Sequence, residues 1–194
     1  MTDGSNKSAI SSPATSTPPA NVLVWDLPLR VFHWLLAVAV PVAWFSANVY
    51  DSVHEIAGYT VLGLVAFRLV WGFAGSRHAR FRSFVQPPRV VLGYLWRLLH
   101  GRTGRYLGHN PAGAAMTVTL LALLAVATIS GWMQLTQRFF GVAWVEELHR
   151  YSSNLVLILA IVHVLGVLLM CRLQRENLVG AMFTGRKTAR TEDS

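Results

Sequence analysis

The stretch HRYSSNLVLILAIVH, residues 149–163, sets an imidazole at each end of one segment, and everything between Asn154 and His163 is apolar. Imidazole binds metals, carries protons or hydrogen-bonds across helices. Inside a bilayer an ionisable side chain is costly and marks a functional site by default. Four histidines stand at that level: His33, His54, His149 and His163. For any one of them alone, a hydrogen bond between helices is a sufficient explanation. Their relative placement says more. Fourteen residues of α-helix advance about 21 Å and return to within about 40° of the starting face. His149 and His163 therefore share one face of one helix at two depths. Matching depths along helices of known direction pairs His54 with His149 near the outer surface and His33 with His163 nearer the inner one.

Two imidazole pairs at two depths suit two b-type haems, each held from opposite faces by histidines of facing helices. Structural zinc needs four ligands around one centre, whereas His149 and His163 lie about 21 Å apart along one helix. A proton relay would include acids within the membrane, but Asp51, Glu55, Glu146 and Glu147 all fall at the outer edge. Arg68 follows His54 by fourteen residues and lies on the same face, at the inner level. A buried guanidinium needs an anion, and a haem propionate would accept its bidentate hydrogen bonds. The alternative is that Arg68 snorkels to the cytoplasmic headgroups. Arg30 beside the inner haem and Arg150 beside the outer one are weaker candidates for the same role. Gly58, one turn from His54, and Gly166, three residues from His163, would let a flat ring approach the backbone. Ordinary packing of small residues in lipid explains each glycine equally well. His78, His100 and His109 belong to a loop and are not assigned as ligands.

These side chains need a scaffold, and composition identifies its solvent. The chain has 194 residues, 53% of them hydrophobic and 13% charged. Soluble domains carry about 25% charged residues, so the balance points to a bilayer. Four segments have about the 20 residues needed to cross the hydrocarbon: 28–50, 54–75, 113–133 and 148–172. Pro28 suits a first helical turn, and Pro41 should kink the first span. Residues 1–21, rich in Ser, Thr, Pro and Ala, read as a disordered tail without the features of a signal peptide. The four-helix domain covers 22–188, followed by a short tail, 189–194. The single cysteine, Cys171, excludes an internal disulfide, an iron–sulfur cluster and covalent C-x-x-C-H haem attachment.

The net charge of +8 is unevenly placed. The loop 76–112 is studded with arginines and holds no Asp or Glu, and Arg172, Arg175, Arg186, Lys187 and Arg190 follow the last span. The opposite loops are short and carry more acids than bases. By the positive-inside rule the Arg-rich loop and both termini are cytoplasmic. Topology thus accounts for the charge, and no nucleic-acid partner is expected. Within the loop, PRVVLGYLWRLL has an apolar face at helical spacing. It either lies along the inner leaflet or packs as a short helix under the bundle. The expected fold is all-α: an integral membrane four-helix bundle with two haems inside.

VWDLPLRVFHWLLA, HEIAGYTVLGLVAFRLVWGFAGSRHARF, RYLGHNPAGAAM and ENLVGAMFTGRK together resemble the bacterial cytochrome b561 family. That group includes the b-type cytochrome subunits of membrane nickel–iron hydrogenases, and the resemblance covers about residues 22–188. It implies a four-helix domain of the bacterial inner membrane with two haems b, exchanging electrons between a quinone pool and a redox partner. Family ligands lie on the first, second and fourth spans, two of them on the fourth. Carried over by motif they fall on His33, His54, His149 and His163, the set reached from depth matching. The aromatics and two acids of FFGVAWVEELHR, above the outer pair, could dock a basic partner. The compact length and short outer loops leave a small periplasmic cytochrome c standing beside a hydrogenase-like subunit as that partner. A homodimer is compatible with the sequence. Two rival functions remain open: a stand-alone quinone reductase using a small soluble donor such as superoxide, and a haem-free membrane anchor.

Overall fold

The computed structural model describes residues 21–101 and 110–188. The expected tails, all of 189–194 and all but Asn21 of 1–21, lie outside the described residues, as do Arg102, Arg105 and His109 of the Arg-rich loop. In chain order the elements are a short strand β1 (Asn21–Leu23), the helices α1 (Leu27–Ser46), α2 (Asp51–Ala74), α3 (Phe81–Phe84), α4 (Pro88–Leu99), α5 (Pro111–Gln134), α6 (Ala143–Gln174) and α7 (Leu178–Thr184), and a last strand β2 (Arg186–Thr188). The four long helices, α1, α2, α5 and α6, are each long and apolar enough to cross a membrane.

Local chemistry sets the ends of these helices. Asp26 caps α1, its Oδ1 accepting from Leu29 N at 2.8 Å, with Pro28 in the first turn. Asn110 caps α5 in the same way through Gly113 N at 2.7 Å, ahead of Pro111. Helix α1 runs through Pro41 and stops at Ser46, four residues short of the expected Tyr50. There the Ser46 hydroxyl donates back to Val42 O at 2.7 Å, and Tyr50 N turns onto Ser46 O at 2.9 Å. Helix α6 exceeds expectation at both ends, with 32 residues. That is about 48 Å of helix against a hydrocarbon layer of about 30 Å, so it projects beyond the apolar run that reveals it in sequence.

The helices α1 and α2, α2 and α5, and α5 and α6 pack along one another, while α6 meets α1 at few places. Ala39, Val61, Val65, Leu124 and Val156 form a buried cluster shared by all four long helices. Val156 is seven residues from both His149 and His163, so this apolar layer sits midway between the two histidine levels. Outward side chains such as Phe45, Ile56, Phe73 and Leu165 are exposed, as a lipid-facing surface requires.

Both ends of the described chain meet. β1 pairs antiparallel with β2, Asn21 opposite Thr188 and Leu23 opposite Arg186. Val24 N and Trp25 N both donate to Gly185 O, at 2.8 and 3.0 Å. Gly185 ends α7 at a φ of 78°, and a Cβ there would lie 2.5 Å from Trp25 O, so glycine is required. Arg30 Nε donates to Met182 O at 3.3 Å and its Nη2 to Phe183 O. Phe183 in turn stacks on Trp34 with ring centres 4.2 Å apart. This clasp puts the two ends on one side of the bundle.

Candidate haem-binding site

The four predicted histidines meet in the predicted pairs. The rings of His54 on α2 and His149 on α6 have centres 6.0 Å apart and planes at 84°. Those of His33 on α1 and His163 on α6 lie 6.4 Å apart at 59°. Two imidazoles sharing one metal, each nitrogen about 2 Å from it and each ring centre roughly 1 Å further, have centres about 6 Å apart. Both pairs match that spacing. Among the described residues no three His, Cys, Asp or Glu gather as a metal centre. The donor set is two nitrogens per site, which suits an ion whose remaining ligands come from a macrocycle.

The outer pair is anchored through its second nitrogens. His54 Nδ1 bonds to Ala43 O on α1 at 2.7 Å, and His149 Nδ1 bonds to Ala127 O on α5 at 2.7 Å. A carbonyl can only accept, so each Nδ1 carries the proton and each Nε2 keeps its lone pair for a metal. This outer-shell bond fixes both tautomer and ring orientation. Helix α5 also presents Gly131, where a Cβ would lie 2.9 Å from His149 Cε1. The His149 ring needs that missing side chain. The inner pair is held differently. His33 Nδ1 is buried with no hydrogen-bond partner, and its ring meets Trp34 edge-on at 5.3 Å.

Arg68 is 1% exposed. Its guanidinium lies 4.7 Å from the centre of the Phe81 ring and 5.9 Å from that of Phe84. Nη1 and Nη2 are buried without a hydrogen-bond partner. Arg68 therefore does not snorkel to the surface. Phe81 also fills the notch left by Gly72, whose Cβ would lie 2.0 Å from its ring. The acid electrostatically coupled to Arg68 is Asp26. Burial raises the Asp26 pKa, but hydrogen bonds from Ser76, Leu29 N and Trp71 Nε1 outweigh it and hold the carboxyl below its ordinary value.

The remaining candidates are placed elsewhere. Arg30 is engaged by the α7 carbonyls in the clasp. Arg150 is exposed and pairs with Glu147 at 2.5 Å. Gly58 and Gly166 border open space, with nothing within 4 Å of an added Cβ. His100, the residue just after α4, packs its ring against Trp96 and bonds its carbonyl at 2.8 Å. Sequence reasoning missed Gly131 and the carbonyls of Ala43 and Ala127. Gly131 could have been found only by testing which residue of the third span faces His149.

A membrane bundle that holds facing imidazole pairs at two depths defines a class of haem-binding electron carrier. The family described as prokaryotic cytochrome b561 matches residues 24–185. The chain belongs to that family, and it is a multi-pass protein of the bacterial inner membrane that serves transmembrane electron transfer with haem b. It is 25% identical to a probable Ni/Fe-hydrogenase B-type cytochrome subunit of Rhodobacter capsulatus, over 87% of this chain and 82% of the relative. A protein of the same description from Cupriavidus necator is 24% identical over 85% of this chain and 86% of its own. One from Azotobacter chroococcum mcd 1 is 27% identical over 69% and 70%. No solved structure matches the chain significantly.

Proposed function

We propose that this protein is a di-haem b-type cytochrome carrying electrons between the quinone pool and a redox partner at the outer face. His54 and His149 hold the outer haem, and His33 and His163 the inner one. The observation that carries this is the pair of ring separations, 6.0 and 6.4 Å, at two levels of one helix. When bound, haem supplies reversible one-electron chemistry at its iron. The chain's own residues bind it, orient it and set its surroundings. Ala43 and Ala127 hold the outer imidazoles in the ligating tautomer. The layer around Val61 and Val156 keeps water out between the two levels. Arg68 offers two free N–H groups to an anion, and a propionate of the inner haem is our assignment. The positive-inside distribution of arginines supports a cytoplasmic clasp end.

The similar proteins are described as hydrogenase subunits, and their alignments span most of their own length. This favours a hydrogenase-like subunit over a small cytochrome c as the partner. Phe140 and Trp144 are exposed at the outer end, beside the acids Glu146 and Glu147, and form the contact surface.

The test is a pyridine haemochrome assay on the purified protein with a reduced-minus-oxidised spectrum. Two haems b per chain are expected. A folded protein that reconstitutes none refutes the proposal.

A further inference from the structure

Helix α4 comes after α2 and α3 and before α5, against which it packs, and so belongs to the clasp end of the bundle. Successive residues of an α-helix turn by about 100°, which divides α4 into three faces. Val91, Tyr94 and Leu98 form the first face, which turns inward; Tyr94 is 1% exposed. Leu92, Leu95, Trp96 and Leu99 form the second, which is apolar and exposed, Leu99 to 84%. Arg89, Gly93 and Arg97 form the third, which is exposed and basic.

We propose that α4 is an interfacial helix that seats this end of the bundle on an anionic phospholipid surface. Helix α4 packs against α5, which is long and apolar enough to cross a membrane. That attachment to a span favours acyl chains over a soluble protein as the occupant. A helix with an apolar strip beside a basic one lies in the headgroup plane, strip downward and cations among the phosphates. Trp96 supplies the interfacial aromatic. An acidic protein would satisfy Arg89 and Arg97 but would leave the apolar strip unexplained. The assignment of this leaflet as cytoplasmic rests on the orientation proposed above; the lipid contact itself does not.

The test uses full-length, haem-loaded protein in nanodiscs of phosphatidylcholine mixed with phosphatidylglycerol. In a Cys171→Ser background, a nitroxide is attached through Leu99→Cys or Gly93→Cys; Gly93 has open space around it. Power-saturation spectroscopy then compares collisions with oxygen and with a water-soluble nickel chelate. The Leu99→Cys label should favour oxygen and the Gly93→Cys label the chelate. Equal access of the chelate to both overturns the proposal and points to a protein or to water on that face.

Native mass spectrometry reads the lipid chemistry. Phosphatidylglycerol should be retained in preference to phosphatidylcholine, and the preference should fall about fivefold for each of Arg89→Gln and Arg97→Gln. Retention in the supplied ratio by the unaltered chain overturns the anionic assignment. A membrane-impermeant maleimide should not reach Gly93→Cys from outside intact spheroplasts. Labelling there overturns the orientation, while the depth measurement still decides the lipid contact. The haem spectrum of the same samples reports the electron-transfer reading separately.

Discussion

The outer and inner histidine pairs have almost the same separation but different support. Each outer imidazole donates its Nδ1 proton to a carbonyl of a neighbouring helix, and Gly131 makes room for the His149 ring. At the inner pair His33 Nδ1 has no such partner, and the nearest buried cation along α2 is Arg68. An anchored imidazole is a better-oriented and more basic ligand. On the proposed di-haem reading, the outer site would hold its haem more firmly, and the inner haem would be the one open to tuning by the charge of Arg68.

The most drastic way to break this comparison is to delete ligands. His33→Ala and His163→Ala should each remove the same haem and halve the pyridine haemochrome yield; His54→Ala and His149→Ala should each remove the other. Losses in crossed combinations would dissolve the pairing. Next is retention. Outer-shell hydrogen bonds are worth about 10- to 100-fold in metal affinity, so transfer to apomyoglobin should empty the inner site first, by about tenfold. Equal rates would mean that the carbonyl anchors do nothing. Gly131→Ala should narrow that gap, because overpacking against the His149 ring costs about 1–3 kcal/mol. The outer haem alone should loosen, as monitored by its band in the difference spectrum.

Charge gives a subtler handle. Arg68→Gln should lower the midpoint of the inner haem by about 60 mV, one tenfold change for a one-electron couple, because a nearby cation favours the electron-rich state. A redox titration with two resolved waves checks this, and an unmoved inner wave removes Arg68 from the site. The smallest effect concerns Asp26, whose hydrogen bonds hold its folded-state pKa below the ordinary carboxylate value. Its contribution to stability is present above that value and is lost as pH falls through the depressed folded value. Acid unfolding monitored by tryptophan fluorescence should show this loss, at under about 1 kcal/mol for a partly exposed group. Asp26→Asn should abolish it.

Much of this arrangement is legible in the sequence. A span is announced by some twenty apolar residues, and the fourteen-residue interval between His149 and His163 reports a shared face, because both follow from helix geometry alone. The true length of α6 is not legible, since hydropathy ends at the membrane boundary while backbone hydrogen bonding does not. Ala43 and Ala127 act through their carbonyls, so their side chains carry no signal. Gly131 and Gly72 matter for what faces them across a helix interface, whereas the case for Gly58 and Gly166 rests only on neighbours along their own helices. Arg30 lies near His33 in sequence yet is bound to α7, a contact between residues more than 150 positions apart.

The pairing of β1 with β2 carries a consequence for biogenesis. β2 follows all four membrane-crossing helices in the chain, so it emerges from the ribosome after them, and only then can it pair with β1. Closure of the ring thus reports that all four spans have been made. A truncated product would keep its hydrophobic segments but leave Val24, Trp25 and the Arg30 guanidinium without their acceptors, an unlatched end open to membrane quality-control proteases.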